Sequence, residues 1–253
     1  MQDTSSSLRR ALSLLDTFTA QKSQMSIREL SRRSGVPRST THRLVGELVE
    51  WGALEQGPGG VRLGVKLFEL GTLAPSQATL REAASPFLHT LNEVTRLTAN
   101  LAVREGDGIV YLDKIATRSL TVPHSRMGGR GLLHATALGK AILAFSPEPE
   151  SHQLLDGPLA SLTPRTVVDA ARLREELRSI RRLKVAFDLE ESRLGLFCVA
   201  APVLDAQGTA IAAVSVTGAT GQSQAEHFAP TVIATAHGIA RAVSGRDRAH
   251  RQP

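Results

Sequence analysis

Residues 25–71 read MSIRELSRRSGVPRSTTHRLVGELVEWGALEQGPGGVRLGVKLFELG, and the fold turns on this stretch. Ser26 followed by Glu29 is a capping-box pattern, so a helix opens there and runs to about Ser34. Gly35 suits the helix end and a sharp turn, and Pro37 suits the first turn of the next helix, where its missing N–H costs little. That second helix carries Leu44, Val45, Leu48 and Val49 inward and stops near Gly52. Ala53 to Glu55, Gly57 to Gly60 and Val61 to Leu63 then read as strand, turn and strand. A helix, a turn, a basic helix and a Gly-rich hairpin carrying Arg62 have the layout of a winged helix-turn-helix. That layout places its second helix in a DNA major groove.

The charge pattern agrees. Between Arg28 and Arg43 there are five arginines and one acid, Glu29. The start of the second helix offers Arg38, Ser39, Thr40, Thr41, His42 and Arg43 as DNA contacts. Arg38 and Arg43 suit phosphate, or guanine bidentately, and the hydroxyls reach a phosphate or base edge. Thr40 or Thr41 has the alternative of facing inward beside Leu44. Arg62 stands where a wing meets the minor groove or backbone. Arg9 and Arg10, on a first helix from Ser5 or Ser7 to about Ala20, are placed to clamp phosphate.

Outward from this segment the composition is ordinary for a globular chain: 253 residues, 42% hydrophobic, 21% charged, formal net charge +6. The length allows a small and a medium domain. No run of about 18 apolar residues suggests a membrane span, and no signal peptide opens the chain, so a cytoplasmic protein is expected. The single cysteine, Cys198, excludes an intrachain disulfide and a Cys-rich zinc site. The histidines lack ligand spacing, so no metal is expected. Gly128 to Gly131 is not a phosphate loop, so no nucleotide or other cofactor is expected either.

The expected organisation is a DNA-binding domain over 1–64, a linker helix and boundary over 65–78 ending at Ala74–Gln77, a second domain over 79–245, and a disordered basic tail over 246–253. In the second domain helical spacing runs from Leu80 to about Arg96. Strands follow at Asn100–Val103 and Ile109–Ile115, and Thr117 to Gly131 is loop-rich. Helices follow at Thr136–Phe145 and Asp169–Leu183, strands at Cys198–Leu204 and Ala210–Val216, and a last helix over Gln224–Val243. Mixed elements without strict alternation predict an α+β domain with an antiparallel sheet.

Ser215 and Thr217 lie two apart on one strand and share a face. Cys198 lies on a neighbouring segment, with Asp188 ten residues before it. Thr136 caps a helix and leaves the amides of Ala137 and Leu138 as anion donors. Hydroxyls and free amides suit a small carboxylate. Asp188 would repel one unless a donor or a raised pKa intervenes.

The chain resembles the IclR family of transcriptional regulators. The resemblance rests on Leu8-Arg9-Arg10-Ala11, Gly35-Val36-Pro37-Arg38-Ser39-Thr40, His42-Arg43-Leu44 and Arg62-Leu63-Gly64 in the first domain. In the second it rests on His134 to Ala141, Asp188 to Glu191, Gly195 to Val203 and Ala212 to Gly218. It departs in Leu132, where a Pro often precedes Leu-His, and in Ala137 and Leu138, which replace smaller residues of some acid-sensing members. The resemblance implies a winged helix-turn-helix joined by a linker helix to a GAF-like effector domain. It also implies a homodimer or a dimer of dimers on an inverted-repeat operator of double-stranded DNA, with repression the expected sense. By the same resemblance Ala137, Leu138, Asp188, Cys198, Ser215 and Thr217 match ligand-contact positions for a small organic or aromatic acid. Two alternatives remain at this point: a DNA-binding protein without ligand, and an enzyme using Cys198 with His134 as its base.

Overall fold

The computed structural model describes residues 6–116, 125–147, 154–220 and 225–250, with the side chains of 75–77 and 246–250 left out. The chain forms two compact units, Met1–Ala78 and Thr79–Pro253.

In the first unit α1 (Ser7–Leu15) opens on the Ser6 hydroxyl, which accepts from the Arg9 amide. It ends well before Ala20, because Thr17 Oγ1 donates to the Leu14 carbonyl and a Thr19–Lys22 bridge turns the chain. A two-residue strand that the sequence did not announce, β1 (Gln24–Met25), follows. Ser26 caps α2 (Ile27–Ser34) by accepting from the Glu29 amide. The reciprocal half of the capping box is replaced: the Glu29 carboxylate binds Arg32 and Arg33. Gly35 takes the left-handed conformation, φ 73°, that ends α2. The second helix, α3 (Arg38–Trp51), starts directly after Pro37.

The wing is β2 (Leu54–Gly57) and β3 (Gly60–Leu63), paired Gly57 to Gly60 around Pro58-Gly59. β1 adds to its other edge, giving the order β1-β3-β2. Gly60 is required where β1 and β3 meet: its φ is 119°, and a Cβ there would lie 2.2 Å from the Met25 carbonyl oxygen. Leu14, Met25, Leu30, Leu44, Val45, Leu54 and Val61 meet in one core. α4 (Val65–Thr72) contributes no buried residue; Val65, Phe68 and Leu70 are exposed, as is Leu73 just after it. The expected linker is therefore two helices. α5 (Pro75–Thr95) starts inside the expected boundary segment Ala74–Gln77 and before Leu80, where helical spacing is expected to begin, since proline is well suited to a first helical turn.

The second unit is built on a six-stranded sheet in the order β6-β5-β4-β9-β8-β7, with every pairing antiparallel. Its strands are β4 (Thr98–Glu105), β5 (Gly108–Ile115), β6 (Arg130–Leu132), β7 (Ala186–Leu189), β8 (Leu196–Leu204) and β9 (Ala210–Ala219). The α+β expectation holds. Within the loop-rich stretch Thr117–Gly131, residues 117–124 lie outside the described residues, and Arg130 begins β6.

Side chains alternate across the sheet. One face carries Leu101, Val199, Val203, Val214 and Val216. It packs on Leu88 and Leu91 of α5 and on Val232, Ala236 and Ile239 of α8 (Ala229–His250). The other carries Ala102, Tyr111, Ala186, Ala200 and Ala213. It packs on α6 (Ala137–Ala144) and on Leu173, Leu177 and Ile180 of α7 (Ala170–Leu183). α8 follows a 3-10 turn at Ala225–Phe228. The helix runs to His250, within the tail expected over 246–253; residues 251–253 of that tail lie outside the described residues.

Candidate functional site

The start of α3 presents Arg38, Ser39, His42 and Arg43 to solvent, with Thr40 half-buried. Pro37 supplies no side-chain cap, so the first-turn amides point outward at the positive end of the helix dipole. Thr41 leaves the DNA-facing set. It is fully buried, and its Oγ1 donates to the carbonyls of Val36 and Pro37, 3.1 Å each. Of the two readings open for Thr41, the structure selects the inward one, which helical spacing from Leu44 and Val45 also favours.

Arg43 pairs with Glu47 one turn on, with both side chains more than half exposed. Such a pair contributes about 1 kcal/mol at most and yields readily to a phosphate. Arg62 is exposed on β3 and bonds Glu55 across the hairpin at 3.0 and 3.1 Å. The Val65 amide, and then Arg62, hold the Glu55 carboxyl below its ordinary range. On α1, Arg9 is exposed and Arg10 half-buried.

In the second unit the strand registers assemble a polar patch on the α6 side of the sheet. Asp188, Cys198, Thr217 and Thr98 lie opposite one another across β7, β8, β9 and β4. The next row holds Ala200, Ser215, Asn100 and, on β5, Lys114. Asn100 Nδ2 donates to Thr217 Oγ1 at 3.2 Å, Ser215 Oγ at 3.4 Å and the Thr98 carbonyl at 3.5 Å. Cys198 Sγ lies 3.1 Å from Thr217 Oγ1. Asn100, Asp188, Ser215 and Thr217 are each buried. Among the described residues Asn100 Oδ1 has no hydrogen-bond partner. A buried acceptor left unmet costs about 1–3 kcal/mol, so a donor from a water or a ligand is favoured at this atom.

Asp188, expected as a ligand-contact position, has donors within the chain. Its carboxylate accepts from the amides of Glu191 and Ser192, at 2.7 and 3.1 Å, and from the Ser192 hydroxyl at 2.5 Å. The chain itself supplies its donors, and Asp188 shapes the turn after β7. Burial pushes its pKa up, opposed by those hydrogen bonds and by the charge of Lys140.

Burial, reinforced by Asp188, pushes the Cys198 thiol up, so it stays protonated at neutral pH and is no nucleophile. His134 Nε2 is engaged with the Ala160 carbonyl at 2.8 Å. Tyr111, on the same face, is pushed up by burial and then by Cys198 and Asp188, so its hydroxyl remains a donor.

α6 starts over this face, with Ala137 and Leu138 in the apolar cluster of Ala102, Tyr111 and Ala200. Thr136 Oγ1 accepts from the Gly139 amide at 3.0 Å. The amides of Ala137 and Leu138 have no acceptor within the helix. Gly139 lets this entry form, since a Cβ there would sit 2.4 Å from the Leu133 carbonyl oxygen. Lys140 is wholly buried and bonds Glu176 on α7 and Glu191 after β7, both at 2.5 Å. Glu191 in turn hangs on Asp188 through its amide, so α6, α7 and the β7–β8 turn are clamped by one charged network.

Sequence reasoning missed Asn100, Tyr111 and the role of Lys140. A signal for Asn100 existed: Thr98 and Asn100 alternate with Ala99 and Leu101, the same period that picked out Ser215 and Thr217. Among the described residues no group of three or more His, Cys, Asp or Glu is placed to hold a metal. No described helix is long and apolar enough to cross a membrane.

Two family models match the chain. The helix-turn-helix domain of IclR covers residues 7–58, and the C-terminal domain of the bacterial transcriptional regulator IclR covers residues 73–245. Among curated relatives, the HTH-type transcriptional regulator XynR of Escherichia coli is 35% identical over 85% of this chain and 87% of its own. The transcriptional repressor IclR of Escherichia coli is 30% identical over 94% and 90%. Among solved structures, an IclR homolog of Microbacterium hydrocarbonoxydans in complex with 4-hydroxybenzoate superimposes with a TM-score of 0.88 at 29% identity. That match covers 95% of this chain and all of the other.

Proposed function

The chain belongs to the IclR family of bacterial transcriptional regulators, and from that premise we propose how its two units divide the work. It is a transcriptional regulator with a helix-turn-helix unit and a C-terminal ligand-binding unit, and it is not an enzyme. We propose that α3 enters the major groove with Arg38, Ser39, Thr40, His42 and Arg43, and that Arg62 on the wing and Arg9 and Arg10 on α1 hold backbone phosphate. The protein works in the cytoplasm as a homodimer or a dimer of dimers on an inverted repeat, and represses until an effector binds. The exposed apolar side chains of Val65, Phe68, Leu70 and Leu73 support a second copy as their cover.

The effector is a small organic or aromatic acid. It sits between the amides of Ala137 and Leu138 and the patch formed by Cys198, Ser215 and Thr217, with Asp188 as part of the wall. The observation that carries this reading is the buried polar patch facing the start of α6. A helix N-terminus holds the carboxylate, and the strand hydroxyls bond the remainder. Regulation follows if the acid binds one arrangement of the DNA-reading units more tightly than the other.

The test is a footprint of the full-length protein on the DNA flanking its own gene, with and without such acids. Protection of an inverted repeat that an acid relieves is the expected result. Equal affinity for random DNA at every salt concentration would refute operator recognition. An acid that strengthens the footprint would refute relief of repression.

A further inference from the structure

We propose that Asn100 makes this site selective for hydroxy acids, by requiring a ligand hydroxyl as the donor to its side-chain oxygen. The inference rests on the effector site proposed above and adds what the acid must carry besides its carboxylate.

The amide orientation comes first, because oxygen and nitrogen of an Asn are told apart by their partners. Asn100 Nδ2 lies 3.5 Å from the Thr98 carbonyl oxygen as well as near the hydroxyls of Ser215 and Thr217. The hydroxyls would tolerate either orientation, since each donates and accepts. The Thr98 carbonyl favours Nδ2 on its side, since turning the amide over would exchange a long hydrogen bond of 3.5 Å for two acceptors facing each other. Nδ2 is therefore held toward Thr98, and Oδ1 faces away from it, buried and without a partner among the described residues.

The second step is an inventory of what the site offers. Ser215 and Thr217 accept from Asn100; Ser215 keeps its own proton to give, while Thr217 Oγ1 also shares a hydrogen bond with Cys198 Sγ. Tyr111 stays protonated and also donates. The α6 amides of Ala137 and Leu138 donate. A carboxylate, which only accepts, suits all of these. The acceptors are fewer, and Asp188 already takes three donors from its own chain. Asn100 Oδ1 is the acceptor left over, and no carboxylate can satisfy it. A ligand O–H can.

An acid without the hydroxyl leaves a buried acceptor unmet on binding. A site built around a ligand O–H rejects the analogue that lacks it far more strongly than a pocket rejects a missing methylene. A preference of about tenfold or more is the scale set by one unmet buried acceptor.

The experiment is calorimetric titration of the full-length protein with matched pairs: 4-hydroxybenzoate and benzoate, 3-hydroxybenzoate and benzoate, 3-hydroxybutyrate and butyrate. In the wild type at least one hydroxy acid should bind at least about tenfold tighter than its partner. In Asn100→Leu the ratio of the two affinities within that pair should fall to about twofold or less. Asn100→Ala, which removes the side-chain oxygen and leaves no acceptor in its place, should repeat the loss if the Leu variant does not fold. Equal binding of both members of every pair overturns the inference and leaves the acid site standing. Preference undiminished in both variants overturns the role of Asn100. Failure of every acid to bind refutes the proposed effector class itself.

Discussion

Replacing Lys140 with Met tests the charged clamp of the second unit. The ammonium is wholly buried and bonds two carboxylates at 2.5 Å each; the Glu176 side chain is 28% exposed and that of Glu191 is 10% exposed. Met matches the length of the stem and removes the charge. Glu176 recovers water, so its part of the loss is small. Glu191 keeps its charge in a nearly closed site, and removing one partner of such a pair costs about 3–5 kcal/mol. For a unit of this size each kcal/mol lowers the melting temperature by roughly 2–4 °C, so a fall of about 6–20 °C is expected. Burial already pushes the Glu191 pKa up, and losing Lys140 removes a charge that held it down. A group whose folded pKa is raised is penalised above that pKa. The deficit of the variant is therefore largest at neutral pH and narrows as acid protonates Glu191. Lys140→Met with Glu191→Gln should recover more than half of the loss. Far-UV circular dichroism is the assay, because the one tryptophan, Trp51, lies in the first unit. A loss under about 1 kcal/mol, or a double variant no more stable than the single, would refute the reasoning.

The first unit yields four more expectations. Arg43→Ala should weaken operator binding and lower the salt slope by about one unit while leaving acid binding unchanged, read by anisotropy across a salt series. Thr41→Val should cost about 1 kcal/mol in a Trp51 fluorescence melt, since Val36 O keeps the Ser31 hydroxyl and Pro37 O keeps the Thr41 amide. Its DNA affinity should hold, and a fall as large as that of Arg43→Ala would return Thr41 to the DNA-facing surface. Gly60→Ala forces a Cβ onto the Met25 carbonyl at positive φ and should cost at least about 1–3 kcal/mol in a urea titration. Hydrogen bonds from Arg32 and Arg33 hold the Glu29 carboxyl at about 2, below its ordinary 4.5. That contribution is full above 4.5 and is lost as pH falls toward about 2. A Glu29→Gln variant that differs from wild type as much at the acid end as at neutral pH would contradict it.

The DNA-reading unit was legible because its signals are local. Ser26, Gly35 and Pro37 each act on the backbone within a few residues of themselves, and Leu44 with Val45 sets the inward face of α3. Errors fell where a local signal has two meanings. Pro75 breaks a helix from inside and begins one at its first turn. Thr17 closed α1 early by bonding the Leu14 carbonyl, a choice that propensity does not dictate. β1, only two residues long, carries no pattern at all and exists through its pairing with β3.

In the second unit Ser215 and Thr217 showed themselves by period. Asn100 did not show its meaning, because its partner Ser215 is 115 residues away and only the strand order brings β4 beside β9. The bonds that Asp188 makes within the chain were not legible either. Its donors come from Glu191 and Ser192, and the Glu191 side chain in turn meets Lys140 arriving from α6.

The two faces of the six-stranded sheet have separate evolutionary freedom. Strand residues alternate between a Leu and Val face, packed on α5 and α8, and a face of Ala102, Ala186, Ala200 and Ala213 interrupted by Asn100, Cys198, Ser215 and Thr217. A substitution at any of these four positions changes a side chain that lies on the opposite side of the sheet from the Leu and Val face. The alanines around them are themselves buried against α6 and α7. A descendant can therefore acquire a new signal by single exchanges on one side of the sheet, while the other side continues to hold the domain together. Inheritance of the architecture is uncoupled from inheritance of the message it reads.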